Sequence, residues 1–293
     1  MRRLQAGVDG RQPGYLRKKM THDKHVTYIS YLKVDELLEL QEPLSEGPEH
    51  DELLFITIHQ VYELWFKQLL HEAAALQVAL EAGDSHRSLA LLGRMRTIMK
   101  TCVSQLDILE TMTPLQFNSF RARLSSASGF QSAQFRELEA VLGRRDQAGQ
   151  DADKKSGMGM AEHLIPGSSA RERVEAAMSR ASLWDSAMHY FNSRQPLPSG
   201  ALARDISQQW QPNEAVQEVL VSIHRSDPEA AMVGEAMVDF DEGLQEWRYR
   251  HVKMVERTIG KKLGTGGSSG AGYLASTLFN PVFPDLWAIR SQF

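Results

Sequence analysis

The chain has 293 residues, 42% of them hydrophobic, which is enough for one large core or two smaller ones when domains commonly hold about 100–200 residues. Its 33 basic and 37 acidic side chains give a formal net charge of -4, which leaves no electrostatic footprint for nucleic acid or an anionic membrane surface. Cys102 is the single cysteine, so neither an intrachain disulfide nor a thiolate metal cluster can form, and a reducing cytoplasm is the expected setting.

Residues 1–20 contain Arg2, Arg3, Arg11, Arg17, Lys18 and Lys19 but no apolar run suited to a signal peptide or membrane span. They are expected to form a mobile arm ahead of one all-helical domain over residues 21–293. Leu54, Ile58, Val61, Trp65 and Leu69 recur at three- and four-residue steps and predict an amphipathic helix over 51–81, closed by the turn Ala82-Gly83-Asp84-Ser85. Leu91, Met95, Ile98, Cys102, Leu106 and Leu109 predict a second helix, which Pro114 stops within Thr111-Met112-Thr113-Pro114. Short helices are expected over 114–124 and 132–142, with a break at Gly129. Residues 143–160 read as a polar loop within the domain. Helical patterning returns over 170–193 and 213–225, and the longest helix runs over 228–259. Gly264–Gly272, with five glycines, is expected to be a loop. No strand alternation competes with these patterns, so the fold class is all-α, a helical bundle.

Two helices carry residues with chemical potential. In the last long one, Phe240, Leu244, Trp247, His251, Met254 and Thr258 share a stripe, which puts an imidazole in the middle of a core-facing surface. A buried histidine satisfied by a carboxylate or carbonyl is the more common explanation of such a pattern. Zinc is disfavoured because no helix has the paired-histidine spacing of a closed or catalytic site, whereas haem iron needs one axial histidine. In the first long helix, Phe55, His59, Tyr62 and Phe66 form an aromatic wall with one imidazole in it, suited to a flat ligand or to ordinary core packing. Phe117 and Arg121 repeat the arrangement with a guanidinium that can grip a carboxylate. The run Gly264-Thr-Gly-Gly-Ser-Ser-Gly270 offers amides and hydroxyls to a polar ligand end, but lacks the lysine and preceding strand of a phosphate-binding loop.

Taken together, these segments resemble the tryptophan 2,3-dioxygenase family from Tyr28 to the C-terminus. The resemblance rests on Tyr28-Ile-Ser-Tyr-Leu32, His50-Asp-Glu-Leu-Leu-Phe-Ile56 with His59-Gln60 and Glu63-Leu-Trp65, Leu109-Glu-Thr-Met-Thr-Pro114, Phe120-Arg121, Ser128-Gly-Phe-Gln-Ser132, Trp247-Arg-Tyr-Arg-His251 and the glycine-rich run. It implies a helical bundle enclosing a b-type haem, ferrous when active, with dioxygen as co-substrate. It also implies cleavage of the indole C2–C3 bond of tryptophan to N-formylkynurenine, in tryptophan catabolism through the kynurenine pathway. By the same resemblance His251 is the iron ligand, His59 accepts a hydrogen bond from the indole N–H, Arg121 pairs with the substrate carboxylate, and Thr265 helps hold the ammonium and carboxylate end. Phe55 and Phe117 are expected to sandwich the indole, with Ser128 and Gly129 along the haem. A homotetramer is implied, in which Tyr28, Tyr31 and Leu32 reach a neighbouring pocket.

The sequence departs from many family members at Ile29-Ser30, where they carry small residues, and in the Ile58-His-Gln-Val-Tyr62 context of His59. These departures leave room for a specialised relative that adds one oxygen atom to a substituted tryptophan and forms an oxindole. A haem-based sensor that binds an indole without turnover is a third reading, which the presence of Arg121 and the Thr265 loop disfavours.

Overall fold

The computed structural model describes residues 25–47, 49–125, 127, 129–145, 160–162, 164–260, 262 and 271–293; among them there are helices and no strands. The polar stretch from 146 to 159, Ser128 and Thr265 lie outside the described residues. The chain divides into two compact units, one ending at Glu42 and one running from Pro43 to Phe293.

In the first unit, α1 (Tyr28–Leu32) and α2 (Val34–Leu38) follow one another directly. Thr27 and Ser30 form a reciprocal cap: the Ser30 N–H donates to Thr27 Oγ1 at 3.2 Å and the Thr27 N–H donates to Ser30 Oγ at 3.0 Å. Lys33, at φ 56°, closes one helix and opens the other. Tyr28 and Tyr31 are each 75% exposed and Leu32 is 45% exposed.

The second unit is built on three long helices. α3 (His50–Glu81) turns through Ala82, Gly83 and Asp84 into α4 (Ser85–Leu109), with Gly83 at φ +72° and the Asp84 carboxylate capping the Arg87 N–H at 2.9 Å. So short a turn makes the two helices antiparallel neighbours. The third, α11 (Pro228–Ile259), packs against α4, and α8 (Leu183–Arg194) packs against α3. Asp227 caps α11 through the Ala230 N–H at 3.0 Å, Pro228 occupies its first turn, and Gly260 at φ +61° ends it. The buried face of α3 is Ile58, Tyr62, Phe66, Leu69, Ala73, Leu76 and Leu80. Burying each of the large side chains contributes about 1.5–3 kcal/mol relative to leaving it in water. The predicted stripe shares Ile58 and Leu69 with this face, whereas Leu54, Val61 and Trp65 are only half-buried.

Shorter helices close the bundle: α5 (Pro114–Arg121), α6 (Ala133–Val141), α7 (Ser169–Met178), α9 (Ser199–Leu202), α10 (Glu214–Ser226), α12 (Ala271–Ser276) and α13 (Pro284–Ala288). The helix expected over 170–193 is two, α7 and α8. Ser182 starts α8 with a reciprocal cap, its Oγ and N–H both donating to the Asp185 carboxylate at 2.7 Å. α12 begins at Ala271, inside the segment expected to be loop. Two fully buried carboxylates pin the C-terminal segment. Asp241 on α11 accepts from the Val282 N–H (2.8 Å), the Phe283 N–H (3.1 Å) and Trp287 Nε1 (2.9 Å). Asp285 accepts from Trp210 Nε1 (2.6 Å), the Asn213 N–H (2.8 Å) and Gln217 Nε2 (2.7 Å). Leaving such donors unmet would cost about 1–3 kcal/mol each.

Candidate active site

The long helices do not close on one another completely. A cavity of about 270 Å³ remains, walled by α3, α5, α6 and α11, with Leu106 and Leu109 from α4, Met112, and Leu274 from α12. Phe55, His59, Phe117, Arg121, Gly129 and His251 all line it, so six of the side chains or backbone positions picked out in the sequence meet in one place. Tyr28, Tyr31 and Leu32 belong to the other unit.

α11 presents Trp247, His251, Met254 and Thr258 to the cavity at helical spacing. The His251 ring stacks on Trp247, centroids 5.3 Å apart and planes at 20°, and among the described residues neither ring nitrogen has a hydrogen-bond partner. Burial, followed by the nearby His59 and Arg136, pushes its pKa down to about 4, so the imidazole is neutral at ordinary pH with a lone pair available as a ligand.

His59, from α3, stands elsewhere on the wall. Its Nδ1 lies 2.7 Å from the Phe55 carbonyl, which can only accept, so Nδ1 carries the proton and Nε2 is left as an acceptor. Much of the ring is open, but it opens onto the cavity, so a small ligand reaches it while protein encloses it. Enclosure governs its basicity: burial lowers the pKa against the opposing effects of the Phe55 carbonyl and Glu63. Phe55 touches His59 (4.0 Å between centroids), Phe117 (5.7 Å) and Phe120 (5.6 Å). A ring inserted between Phe55 and Phe117 needs ~7 Å, two stacking distances. As they stand, the two phenyl rings form one aromatic wall of the cavity. α5, which carries Phe117 and Arg121, is started by Pro114 and by Thr113, whose N–H donates to Gln116 Oε1 at 2.8 Å.

At the α6 side the wall is strongly charged, and sequence reasoning did not find this cluster. Glu139, 3% exposed, lies 2.6 Å from Arg136, 2.9 Å from Arg144 and 3.5 Å from Arg248. Burial raises the Glu139 pKa, but the three guanidiniums more than offset it and hold the carboxyl below its ordinary range. Arg248 is itself pushed down by burial, with Glu139 opposing. Four arginines (with Arg121) face two glutamates (with Glu63) on the lining, an excess of two positive charges. Such a wall favours an anionic ligand group over a cationic one. Only the Arg136/Glu139 spacing and the position of Arg248 three residues before His251 hinted at it.

A metal at His251 must bring its other donors with it, since no three His, Cys, Asp or Glu side chains converge among the described residues. A porphyrin does so. The rest of the site suits one: Phe66, Phe135 and Trp247 form an apolar floor, and the guanidinium cluster matches the two carboxylates. Among the described residues nothing lies within 4 Å of where a Cβ on Gly129 would stand, which leaves space there for a flat ligand.

The family model described as Tryptophan 2,3-dioxygenase matches residues 15–183 and 192–293. The chain belongs to the tryptophan 2,3-dioxygenase family. It is 56% identical over 274 residues to "Tryptophan 2,3-dioxygenase" of Anaeromyxobacter sp. (strain K), covering 92% of this chain and 97% of that one. It is 54% identical to the protein of the same name from Herpetosiphon aurantiacus, over 91% and 98% of the two chains. With the one from Caulobacter vibrioides the identity is 41%, over 91% and 98%. All of the motif segments that carry the family resemblance fall inside the matched residues.

Proposed function

We propose that this chain is a haem-dependent dioxygenase that cleaves the indole C2–C3 bond of L-tryptophan to give N-formylkynurenine, the opening step of tryptophan breakdown through kynurenine. The observation that carries this reading is His251, a neutral imidazole with no hydrogen-bond partner among the described residues, on a cavity whose walls also carry His59 and Arg121. His251 would hold the iron of a b-type haem, Arg136, Arg144 and Arg248 would face its propionates, and Ser128 and Gly129 would lie along it. Bound there in the ferrous state, the haem supplies dioxygen binding and the oxygen-insertion chemistry.

The protein's own share is to bind and orient the substrate. The Phe55–Phe117 wall takes one face of the indole, and His59 Nε2 accepts the indole N–H. A neutral imidazole is a poor base toward so weak an acid, so His59 positions the ring rather than removing its proton. Arg121 pairs with the substrate carboxylate, and Thr265 holds the ammonium and carboxylate end. Fixing the ring in this way contributes several kcal/mol of the barrier reduction through orientation. The oxindole-forming alternative is not favoured, since the relatives at 54–56% identity are named Tryptophan 2,3-dioxygenase. A sensor without turnover has no need of the Arg121 grip.

The assembly is a homotetramer in which Tyr28, Tyr31 and Leu32 complete a neighbouring subunit's pocket, a role supported by their exposure. The setting is the cytoplasm, consistent with the lone, buried Cys102. No described helix is long and apolar enough to cross a membrane. The test is turnover by the haem-loaded, reduced protein given tryptophan and dioxygen. N-formylkynurenine is the expected product, and it disappears together with haem retention in His251→Ala. Haem-loaded wild-type protein that makes none overturns the assignment.

A further inference from the structure

Glu110 is the residue that ends α4, where the helix dipole is negative and a carboxylate is disfavoured. Its place there is explained by α11: Arg257 lies 3.0 Å and Arg250 3.3 Å from its Oε2, and Arg250 also reaches Asp107 at 2.6 Å. Arg250 and Arg257 are two helical turns apart on one flank of α11, and His251 lies between them in sequence. The same stretch of α11 is held on its other side by Arg248, which pairs with Glu139 at 3.5 Å and donates to the Asn280 carbonyl at 3.3 Å. Beyond Trp247 only Val252 among its residues is buried, because the neighbouring face borders the cavity rather than packed side chains. On the α4 side, Met112, two residues after Glu110, lines the cavity, and Thr113 caps the helix bearing Phe117 and Arg121.

We propose that Glu110 is a positioning residue for substrate binding. By holding two arginines of α11 at the α4–α5 corner, it fixes the span between His251 and the Phe117–Arg121 wall, and so the width of the space in which tryptophan lies. The proposal rests on the assignment of His251 and Arg121 to the two sides of that space. Nothing in it places Glu110 in contact with substrate or cofactor.

The test uses the haem-loaded full chain with Glu110→Gln, which keeps the size and removes the charge, and with Arg257→Gln, whose side chain is 59% exposed and pairs with Glu110. Tryptophan affinity is read without turnover, from the change in the haem absorption spectrum on titration of the ferric protein; haem content and melting temperature are measured alongside. Each variant is expected to keep its haem and to bind tryptophan about 3–10-fold more weakly. The double variant should be no weaker than Glu110→Gln alone, since Glu110→Gln already removes the pair with Arg257. A lowered melting temperature with unchanged tryptophan affinity would mean a purely structural role and overturn the proposal, as would additive losses in the double variant. If Glu110→Gln does not fold, Arg257→Gln alone decides: unchanged affinity overturns the proposal. A wild-type spectrum that does not respond to tryptophan sinks the assignment of the site itself, and is distinguishable because it precedes any variant.

Discussion

Removing His251 should change how the cofactor-free protein responds to acid. The folded pKa of this imidazole is about 4, against 6.5 for an unperturbed histidine. The unfolded chain therefore takes up a proton as the pH falls through 6.5, while the folded chain resists until about pH 4. Stability associated with the neutral ring is complete above pH 6.5 and is lost as the pH falls toward 4. At 1.36 kcal/mol per pH unit, the interval amounts to about 3 kcal/mol at pH 4. Carboxylates such as Glu139 and Asp185, whose pKa values are held low, add their own acid losses, so the comparison must be between wild type and His251→Leu. Urea unfolding of both proteins at pH 4.5 and pH 7, about 25 °C, isolates the difference. Wild type should lose ~2–3 kcal/mol more than the variant over that interval. Equal losses would show that the imidazole is solvated and protonated like any surface histidine, and the argument for a ligand-ready nitrogen would fall with it.

Other changes reach other parts of the site. His59→Ala removes a positioning hydrogen bond worth about 0.5–1.5 kcal/mol, so turnover should fall roughly 2–10-fold with haem content unchanged; complete loss of turnover with substrate still bound would make His59 a required base. Arg121→Ala removes a charge-assisted pair worth about 1.5–3 kcal/mol and should weaken tryptophan binding by roughly 10–150-fold in a spectral titration. Unchanged affinity takes Arg121 out of the site. Asp241→Ala removes the acceptor of the Val282, Phe283 and Trp287 N–H groups, and should cost about 3 kcal/mol in denaturant unfolding; a loss below ~1 kcal/mol would mean that these groups find other acceptors.

How much of this was legible in the sequence follows from how each feature is encoded. The stripe Phe240 to Thr258 and the wall Phe55 to Phe66 were readable because each lies on one helix, where spacing fixes which side chains share a face. Periodicity could place His251 inward, but not decide between a satisfied histidine and a ligand, since that depends on partners from other helices. The motif series points to the ligand, a role that rests on the proposed function. The break between α7 and α8 was missed because Ser179-Arg-Ala-Ser182 has no glycine or proline; it depends on the Ser182–Asp185 cap. The Glu139 cluster was invisible because Arg248 comes from a helix 109 residues away. The distance between Phe55 and Phe117 was not legible for the same reason: the sequence puts each ring on a wall, but only packing sets the 5.7 Å between them.

The central claim is that this cavity brings tryptophan and dioxygen together so that the indole ring is opened with both oxygen atoms retained. Mass spectrometry of the product formed from L-tryptophan under isotopically labelled dioxygen tests it directly. The account predicts N-formylkynurenine carrying two labelled atoms; a product carrying one, with the indole C2–C3 bond intact, would contradict it.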